Sequence, residues 1–378
     1  MAHSRKVSRP LLLDVFAGAG GLTLGAHLAG FRTSVAIELD PKLSFSFSDN
    51  FPQVRLLTAN VRGMDPRLAL EEAGHDPASL VGVIGGPPCQ GFSEIGRRNP
   101  ADPRNQLVGE FFRFVRILQP SFFFVENVPG ILVNGFGAVL EKELLDIGRR
   151  YEILGPLEVQ TASYGAATVR PRVVVVGYDP GRISGLAEGD LEGDSEPATV
   201  ADAIRDLRTF GPPQADALGD VWRKRPPGSK RRRSDYAEAA SEPPPEGLAS
   251  VRVRLAHRRG LVSGFQPTVH TDGVVKRFSA VRPGERDKSS RFPRLRWDEP
   301  APTLRAGTGP DKGSYQSVRP IHPDEDRVVT VREAARIQGF PDWFQFHPTK
   351  WHSFRMIGNS VSPYLARHIL GAVRRRLT

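Results

Sequence analysis

Cys89 is the only cysteine in 378 residues, and it stands in the stretch GGPPCQGFSEIGRRNPADPRNQL. A thiolate is a strong nucleophile even when little of it is ionised, and a nearby helix start or arginine ionises more of it. Arg97, Arg98 and Arg104 follow within the same loop and the next helix start, Pro87-Pro88 stiffen the approach, and Gly91 frees the backbone beyond. The nine histidines show no dyad pattern with this thiol, so protease-like chemistry has no support. A single cysteine forms no internal disulfide and offers no CxxC knuckle, so no metal site is expected and a reducing compartment suits the chain. Two further stretches carry chemistry. FFFVENVPG ends an apolar run in Glu126-Asn127, a carboxyl and an amide where a proton could be delivered. DVFAGAGGLTLG places glycines where a ligand can approach the backbone at a helix start, though not at GxGxxG spacing. Glu38, about twenty residues on, is an acid that could accept both hydroxyls of a ribose, so a nucleoside cofactor is expected.

These residues need elements to hold them. LLLDVF (11–16), SVAIEL (34–39), VRLLTA (54–59), VGVIG (81–85), SFFFVEN (121–127), YEILGPLEV (151–159) and RVVVVGY (172–178) read as strands. GLTLGAHLAG, QLVGEFFRFVRIL and VLEKELLDIGRR carry helical periodicity between them. Strands alternating with helices predict an open, mostly parallel α/β sheet, with ligands beyond the carboxyl ends of the strands. From about 180 to 300 the pattern gives way to Pro/Gly clusters and basic runs, including Lys230-Arg231-Arg232-Arg233, which read as a phosphate-binding flap. Patterning returns at VVTVREAARIQGF and in a last helix started by Ser362-Pro363, with Tyr364, Leu365, Ile369, Ala372 and Val373 on the face that packs back on the first strands and helices. The expected division is residues 1–184 as catalytic body, 185–300 as recognition region, 301–340 as a linking segment and 341–378 as the return to the core.

Charge divides the chain as well. Residues 1–180 hold 18 Lys/Arg against 18 Asp/Glu, residues 181–220 hold 3 against 9, and residues 221–378 hold 31 against 15. A neutral half followed by a strongly basic one implies a catalytic body attached to a polyanion-binding face, the plainer alternative being a solvated arginine-rich surface. No apolar run is long enough to span a membrane, and MAHSRKVSRP is followed by a strand-like run instead of a secretory core, so a cytoplasmic protein is expected.

In this order, FAGAGG, PPCQGFS, the ENV strand end and GNSVSP resemble the motifs of the DNA (cytosine-5)-methyltransferases, and the resemblance runs from Leu11 to about Val373. It implies an S-adenosylmethionine-dependent enzyme that flips a cytosine out of double-stranded DNA, because the reacting carbon is unreachable in the stack. Cys89 would add to cytosine C6, making C5 nucleophilic enough to take a methyl group, and would then be eliminated. Glu126 would bind and protonate N3, Arg172 would hold O2, and Arg170 would support that loop. Pro88, Gln90 and Asn127 would shape the base pocket, Ser93, Arg97 and Arg104 would clamp phosphates, and Thr303 in APTLRAG would lie in the linking segment near the DNA. The cofactor would be held by Phe16, Ala17, Gly18, Gly20, Gly21 and Leu22, by Glu38 and Leu39 at its nucleoside, by Pro88, and by Asn359, Ser360 and Val361 at its methionine end. Residues 185–300 would read the target. The resemblance is to the modification enzymes of restriction–modification systems, which implies a monomer working alongside a cognate restriction endonuclease.

Two departures stand out. Where the family commonly has Asp for the adenine amino group, this chain has Asn60, which predicts weaker cofactor affinity. The family's PQxRxR run reads Ala167-Thr168-Val169-Arg170-Pro171-Arg172, with both arginines kept and the Pro-Gln gone. Other readings of the chain are an RNA (tRNA) cytosine-5 methyltransferase, an inactive sequence-specific DNA-binding protein, and a nicotinamide oxidoreductase, the last leaving Cys89, Glu126 and the basic half without a role.

Overall fold

A computed structural model describes residues 9–88, 106–133, 136–211, 213–216, 218–226, 233–306 and 319–377. Among these residues the apolar runs form β1 (Leu11–Val15), β2 (Arg32–Ile37), β3 (Arg55–Leu57), β4 (Leu80–Gly85), β5 (Phe122–Asn127), β6 (Glu152–Gln160), the short β7 (Thr168–Val169) and β8 (Pro171–Tyr178). All but β7 join one seven-stranded sheet in the order β3-β2-β1-β4-β5-β8-β6. The first five of that order run parallel, and β8 pairs antiparallel with both β5 and β6. The fold is therefore mixed α/β with a mostly parallel sheet, as the strand–helix alternation predicts. β2 ends at Ile37, short of the sequence-based boundary. Glu38 N–H still donates to the Leu57 carbonyl, but its side chain turns the chain by accepting the Asp40 N–H.

Strand alternation decides which helices cover which face. Leu13, Val15, Val35 and Phe123 point to one side and pack with α3 (Pro66–Glu72), α4 (Gln106–Leu118) and α5 (Phe136–Ile147). Leu12, Phe122 and Phe124 point to the other, where α1 (Gly21–Leu28) and a C-terminal helix cover them. Between α1 and α3 lies the single turn α2 (Phe47–Asn50). Parallel strands hydrogen-bonded on both edges and buried on both faces read as continuous apolar runs, and all six residues of β5 are buried.

The region after 180 is built from short pieces. It comprises α6 (Val200–Ile204), β9 (Pro213–Ala215), β10 (Val221–Lys224), α7 (Asp235–Ser241), α8 (Val251–Arg258), β11 (Leu261–Val262) and α9 (Asp272–Ser279). The three strands make a small antiparallel sheet, β11-β10-β9. β12 (Ala301–Pro302) then pairs parallel with β7, so the segment after 300 returns beside Arg170.

The last three helices are α10 (Val331–Gln338), α11 (Lys350–Asn359) and α12 (Pro363–Arg376). α12 starts at Ser362-Pro363 as expected and buries Leu365, Ala366, Ile369, Leu370, Ala372 and Val373 against the sheet side of α1. A Cβ on Gly25 would lie 2.3 Å from Ala366 Cβ, so the two helices meet where glycine removes the side chain. Tyr364, expected on that buried face, is only half-buried and stacks on Tyr236 with ring centroids 5.4 Å apart. No helix among the described residues is long and apolar enough to cross a membrane.

Candidate active site

Strand order reverses between β1 and β4, and a crevice opens beyond the carboxyl ends of strands at such a point. Val15 of β1 registers with Gly85 of β4, and Gly85 with Val125 of β5. The glycine turn, the exit toward Cys89 and the Glu126 strand end are therefore neighbours. The sequence-expected cysteine loop, with Cys89, Gln90, Ser93, Arg97 and Arg104, lies outside the described residues.

The turn after β1 is held by unusual backbone. Phe16 has φ +66°, a left-handed conformation for a non-glycine, and Gly18 and Gly20 follow at +54° and +91°. Gly18 N–H donates to Glu38 Oε2 at 2.9 Å and Asp40 N–H to Glu38 Oε1 at 2.8 Å. Burial raises the Glu38 pKa, and these two N–H groups oppose the rise. Each carboxylate oxygen has a second lone pair left. A Cβ on Gly18 would meet nothing within 4 Å, whereas one on Gly20 would strike the Phe51 ring and one on Gly21 the Val361 carbonyl and Ser360 Oγ. The turn thus has an open side at Gly18 and a closed side at Gly21, where Ala17 and Leu22 are buried. Leu39, next to Glu38, keeps 62% of its surface exposed. Arg355 of α11 pairs with Asp40 at 3.2 Å and ties that helix to the cradle.

Sequence patterning did not single out Asp14. It is wholly buried in β1, with Oδ2 accepting from Thr23 Oγ1 at 2.6 Å and Oδ1 without a hydrogen-bond partner. Burial pushes its pKa up to about 7, the Glu38 charge adding to the rise and the Thr23 hydrogen bond opposing it. An acid inside the run LLLDVF was the available sign.

The second pocket lies one strand over. Glu126 registers with Val174 and Asn127 with Val173 across β5–β8, so Arg172 is the diagonal neighbour of Glu126 on the same face. Arg172 Nε meets Glu126 Oε1 at 2.5 Å, with both side chains about nine-tenths buried, and Arg172 Nη1 donates to the Pro171 carbonyl. Asn127 Nδ2 donates to the Pro87 carbonyl at 3.2 Å, which pins the exit of β4, and hence Pro88, to the end of β5. A Cβ on Gly86 would lie 3.6 Å from both Glu126 Oε2 and Val361 Cγ2. Gly86 is therefore the thin wall between the carboxylate pocket and the segment that closes the glycine turn.

The other expected residues are placed as follows. Arg170 is buried and braces two loops, donating to the carbonyls of Leu304, Gly358 and Ser360. Thr303 Oγ1 donates to the Val169 carbonyl. Asn359 is exposed at the end of α11, and Ser360 Oγ is buried with no hydrogen-bond partner. Asn60 Oδ1 accepts the Arg62 N–H at 3.1 Å.

Of the basic flap, Arg233 has a buried side chain against Asp206 at 3.7 Å and faces no solvent, while Lys230, Arg231 and Arg232 lie outside the described residues. Other arginines of the basic half are paired within the chain, Arg225 and Arg254 largely buried and Arg252 and Arg277 at the surface. Arg225 pairs with Asp342, Arg252 with Asp49, and Arg277 with Asp287, while Arg254 donates to the carbonyls of Pro244, Pro245 and Leu248.

The open α/β sheet, a glycine turn hydrogen-bonded to Glu38 at its switch point and the Glu126–Arg172 pair beside it define the site. Residues 11–375 match the profile of the family described as C-5 cytosine-specific DNA methylase. The Type II methyltransferase M.XorII of Xanthomonas oryzae pv. oryzae is 37% identical, with 98% of this chain and 86% of that protein aligned. M.AgeI of Thalassovita gelatinovora is 30% identical over 96% and 98%. A crystal structure described as a DNA modification methyltransferase encoded within an E. coli prophage superposes with TM-score 0.83 at 36% identity, covering 97% of this chain and 99% of that one. The S. pombe Dnmt2 methyltransferase, at 14% identity and TM-score 0.59, shares the fold. The chain belongs to the C-5 cytosine-specific DNA methylase family.

Proposed function

We propose that this chain is a sequence-specific DNA (cytosine-5)-methyltransferase of the Type II modification kind, acting in the cytoplasm beside a cognate restriction endonuclease. The observation that carries this reading is the Glu126–Arg172 pair across Gly86 from Val361, at the strand end next to the one that leads into Cys89. A carboxyl and a guanidinium side by side fit the N3 and O2 edge of a cytosine, one wall away from the glycine turn.

The residues present fit S-adenosylmethionine. Glu38 has lone pairs left for two ribose hydroxyls, and Leu39 offers exposed apolar surface for a purine. Gly18 leaves open space, and Ser360 Oγ waits unpartnered near Gly21. When bound, that cofactor supplies an electrophilic methyl group to C5. The chain's own part is as follows. The Cys89 sulfur forms a bond to C6 of the flipped cytosine while the Glu126 carboxyl gives a proton to N3, so the ring electrons collect at C5 without charge building on the ring. Arg172 holds O2 and fixes Glu126 in place. Once C5 is methylated, loss of its proton to a base expels the Cys89 thiolate and N3 returns its proton to Glu126, restoring the ring and the enzyme. Residues 185–300 read the target, and 301–340 and 341–378 return the chain to the cofactor turn.

The test is incubation with S-adenosylmethionine and unmethylated genomic DNA, bisulfite sequencing of the product, and a Cys89→Ser control. Protected cytosines within one short motif, absent from the control, are expected. Protection absent from DNA but present in transfer RNA would overturn the substrate.

A further inference from the structure

Several buried arginines of the C-terminal half are neutralised by a carboxylate, while Arg332 and Arg254 give their N–H groups to backbone carbonyls. Arg225, Arg294, Arg327 and Arg336 are largely buried, and each meets a carboxylate within 3 Å. A guanidinium taken from water without such a partner is costly. Arg319, like Arg223 over the Phe265 ring, has neither kind of partner at Nε. Its guanidinium lies over the Phe354 ring, 4.7 Å from the centroid, its Nε is buried without a hydrogen-bond partner, and no carboxylate among the described residues pairs with it.

Arg319 lines a recess of about 460 Å³ whose walls include His270, Phe292, Thr349, Lys350 and Trp351. No acidic residue lines it among the described residues. Lys350 Nζ donates to the Pro267 carbonyl at 2.6 Å and reaches Thr268 Oγ1 at 3.4 Å, which uses two of its three N–H groups. Burial lowers the Lys350 pKa, and the Arg319 charge lowers it further. His270, on the opposite wall, is also held below the usual histidine range by burial and by Lys350. The recess therefore gathers two cations that repel each other in a half-buried, aromatic-walled space with no counter-charge, the arrangement an arriving anion relieves.

Its position indicates the source of that anion. Lys350 opens α11 and Asn359 ends it, so the recess stands about 13 Å along the helix axis from the cofactor-closing segment, at 1.5 Å per residue. Val269, beside His270, is 90% exposed, and α9 next in sequence carries exposed Val275 with Lys276. The recess thus lies beside the 185–300 region proposed to read the target, at the far end of α11 from the segment that faces Gly86.

We propose that the Arg319–Lys350 recess holds a phosphate of the DNA backbone, with Trp351 and Phe292 against the adjoining sugar, and so sets the register of the strand whose cytosine enters the site. The proposal rests on the DNA reading above.

The test measures affinity for a short labelled duplex carrying the bisulfite-defined motif, and for an unrelated duplex, across a KCl series. The proteins are wild type, Arg319→Gln, Lys350→Gln, the double variant and Arg319→Lys. For the double variant the slope of log affinity against log salt is expected to fall by about 0.9, the value for one phosphate, equally on both duplexes. Arg319→Lys is expected to keep most of the wild-type slope, and S-adenosylmethionine affinity by calorimetry to stay within twofold throughout. An unchanged slope in variants that still bind the cofactor overturns the proposal. If Arg319→Gln loses cofactor binding because Phe354 is uncovered, Lys350→Gln alone decides in the same way. Titration with inorganic phosphate and with deoxycytidine monophosphate, read by Trp351 fluorescence against Trp351→Phe, separates the sources. Saturation by a free anion at micromolar concentration with an unchanged DNA slope assigns the recess to small molecules and overturns the DNA assignment. A wild type that methylates DNA but shows no slope change sinks this proposal alone. One that neither binds nor methylates DNA sinks the reading beneath it as well.

Discussion

Asp14 and Glu126 are two buried carboxyls with opposite fortunes, and each makes its own prediction. Asp14 has an unpartnered oxygen and a pKa near 7, against 3.8 for an ordinary aspartate. Because the folded value is raised, the native state holds the proton more tightly. The associated stability is complete below about pH 4 and is lost as pH rises to about 7, by at most roughly 4 kcal/mol. Asp14→Asn removes the titration, so the melting temperature of the variant relative to wild type should rise between pH 5 and pH 8 in cofactor-free protein. A constant difference across that range would show that Asp14 does not titrate there. Glu126 instead has Arg172 at 2.5 Å. Glu126→Gln keeps the shape and removes the proton donor proposed above, so turnover should fall roughly 100-fold or more while cofactor affinity holds; an unchanged kcat with intact binding would remove Glu126 from the chemistry. Glu126 and Glu38 stand out in the sequence because each lies where an apolar run gives way to punctuation, and the structure places both at strand ends. Asp14 does not stand out, because inside an apolar strand its type alone does not reveal whether its second oxygen finds a partner.

At the scale of elements, the strands of the sheet were legible for a physical reason: parallel strands buried on both faces leave unbroken apolar runs such as FFFV. The region from 200 to 280 was not, since its strands run two to four residues and its helices five to eight, shorter than the window over which periodicity declares itself. Its order comes from partners distant in sequence, as where Ser250 Oγ donates to Asp49 Oδ1 and Tyr236 OH to the Arg336 carbonyl. The meeting of α1 and α12 supplies a test of element packing. A Cβ at position 25 would lie 2.3 Å from Ala366 Cβ and 2.9 Å from the Arg367 nitrogen and Pro363 oxygen, so Gly25→Ala forces the helices apart. Overpacking of this kind costs about 1–3 kcal/mol. Chemical denaturation should show that loss, with partial recovery in Gly25→Ala/Ala366→Gly. Recovery is partial because the backbone contacts remain. A variant as stable as wild type would mean that the helices slide past each other freely.

For the whole molecule, buried arginines of the basic half join residues 200–280 to the segment after 330. Every residue of α10 is buried, including Arg332 and Arg336. Arg332 donates to the carbonyls of Ser263, Pro341 and Phe344, while Arg336 meets Asp342 at 2.6 Å, Asp206 at 3.3 Å and the Ala203 carbonyl at 3.0 Å. These contacts tie α6, the strand β11 region and the segment after α10 to one point. Arg336 and its neighbours hold the Asp342 pKa down to about 2 although burial works against them. A depressed carboxylate contributes stability that is present above the unfolded value near 3.8 and is lost as pH falls through 2, about 2 kcal/mol in all. Removing the cation should cost more than this, because two carboxylates are then left buried: Arg336→Met is expected to lose about 3–5 kcal/mol in urea denaturation at pH 7. Arg336→Met/Asp342→Asn should recover only a part of that loss, because Asp342 keeps Arg225 in the single variant and Arg225 loses its carboxylate in the double one. If the single variant unfolds at the wild-type midpoint, the network is incidental, and the recognition region is held by its apolar contacts alone.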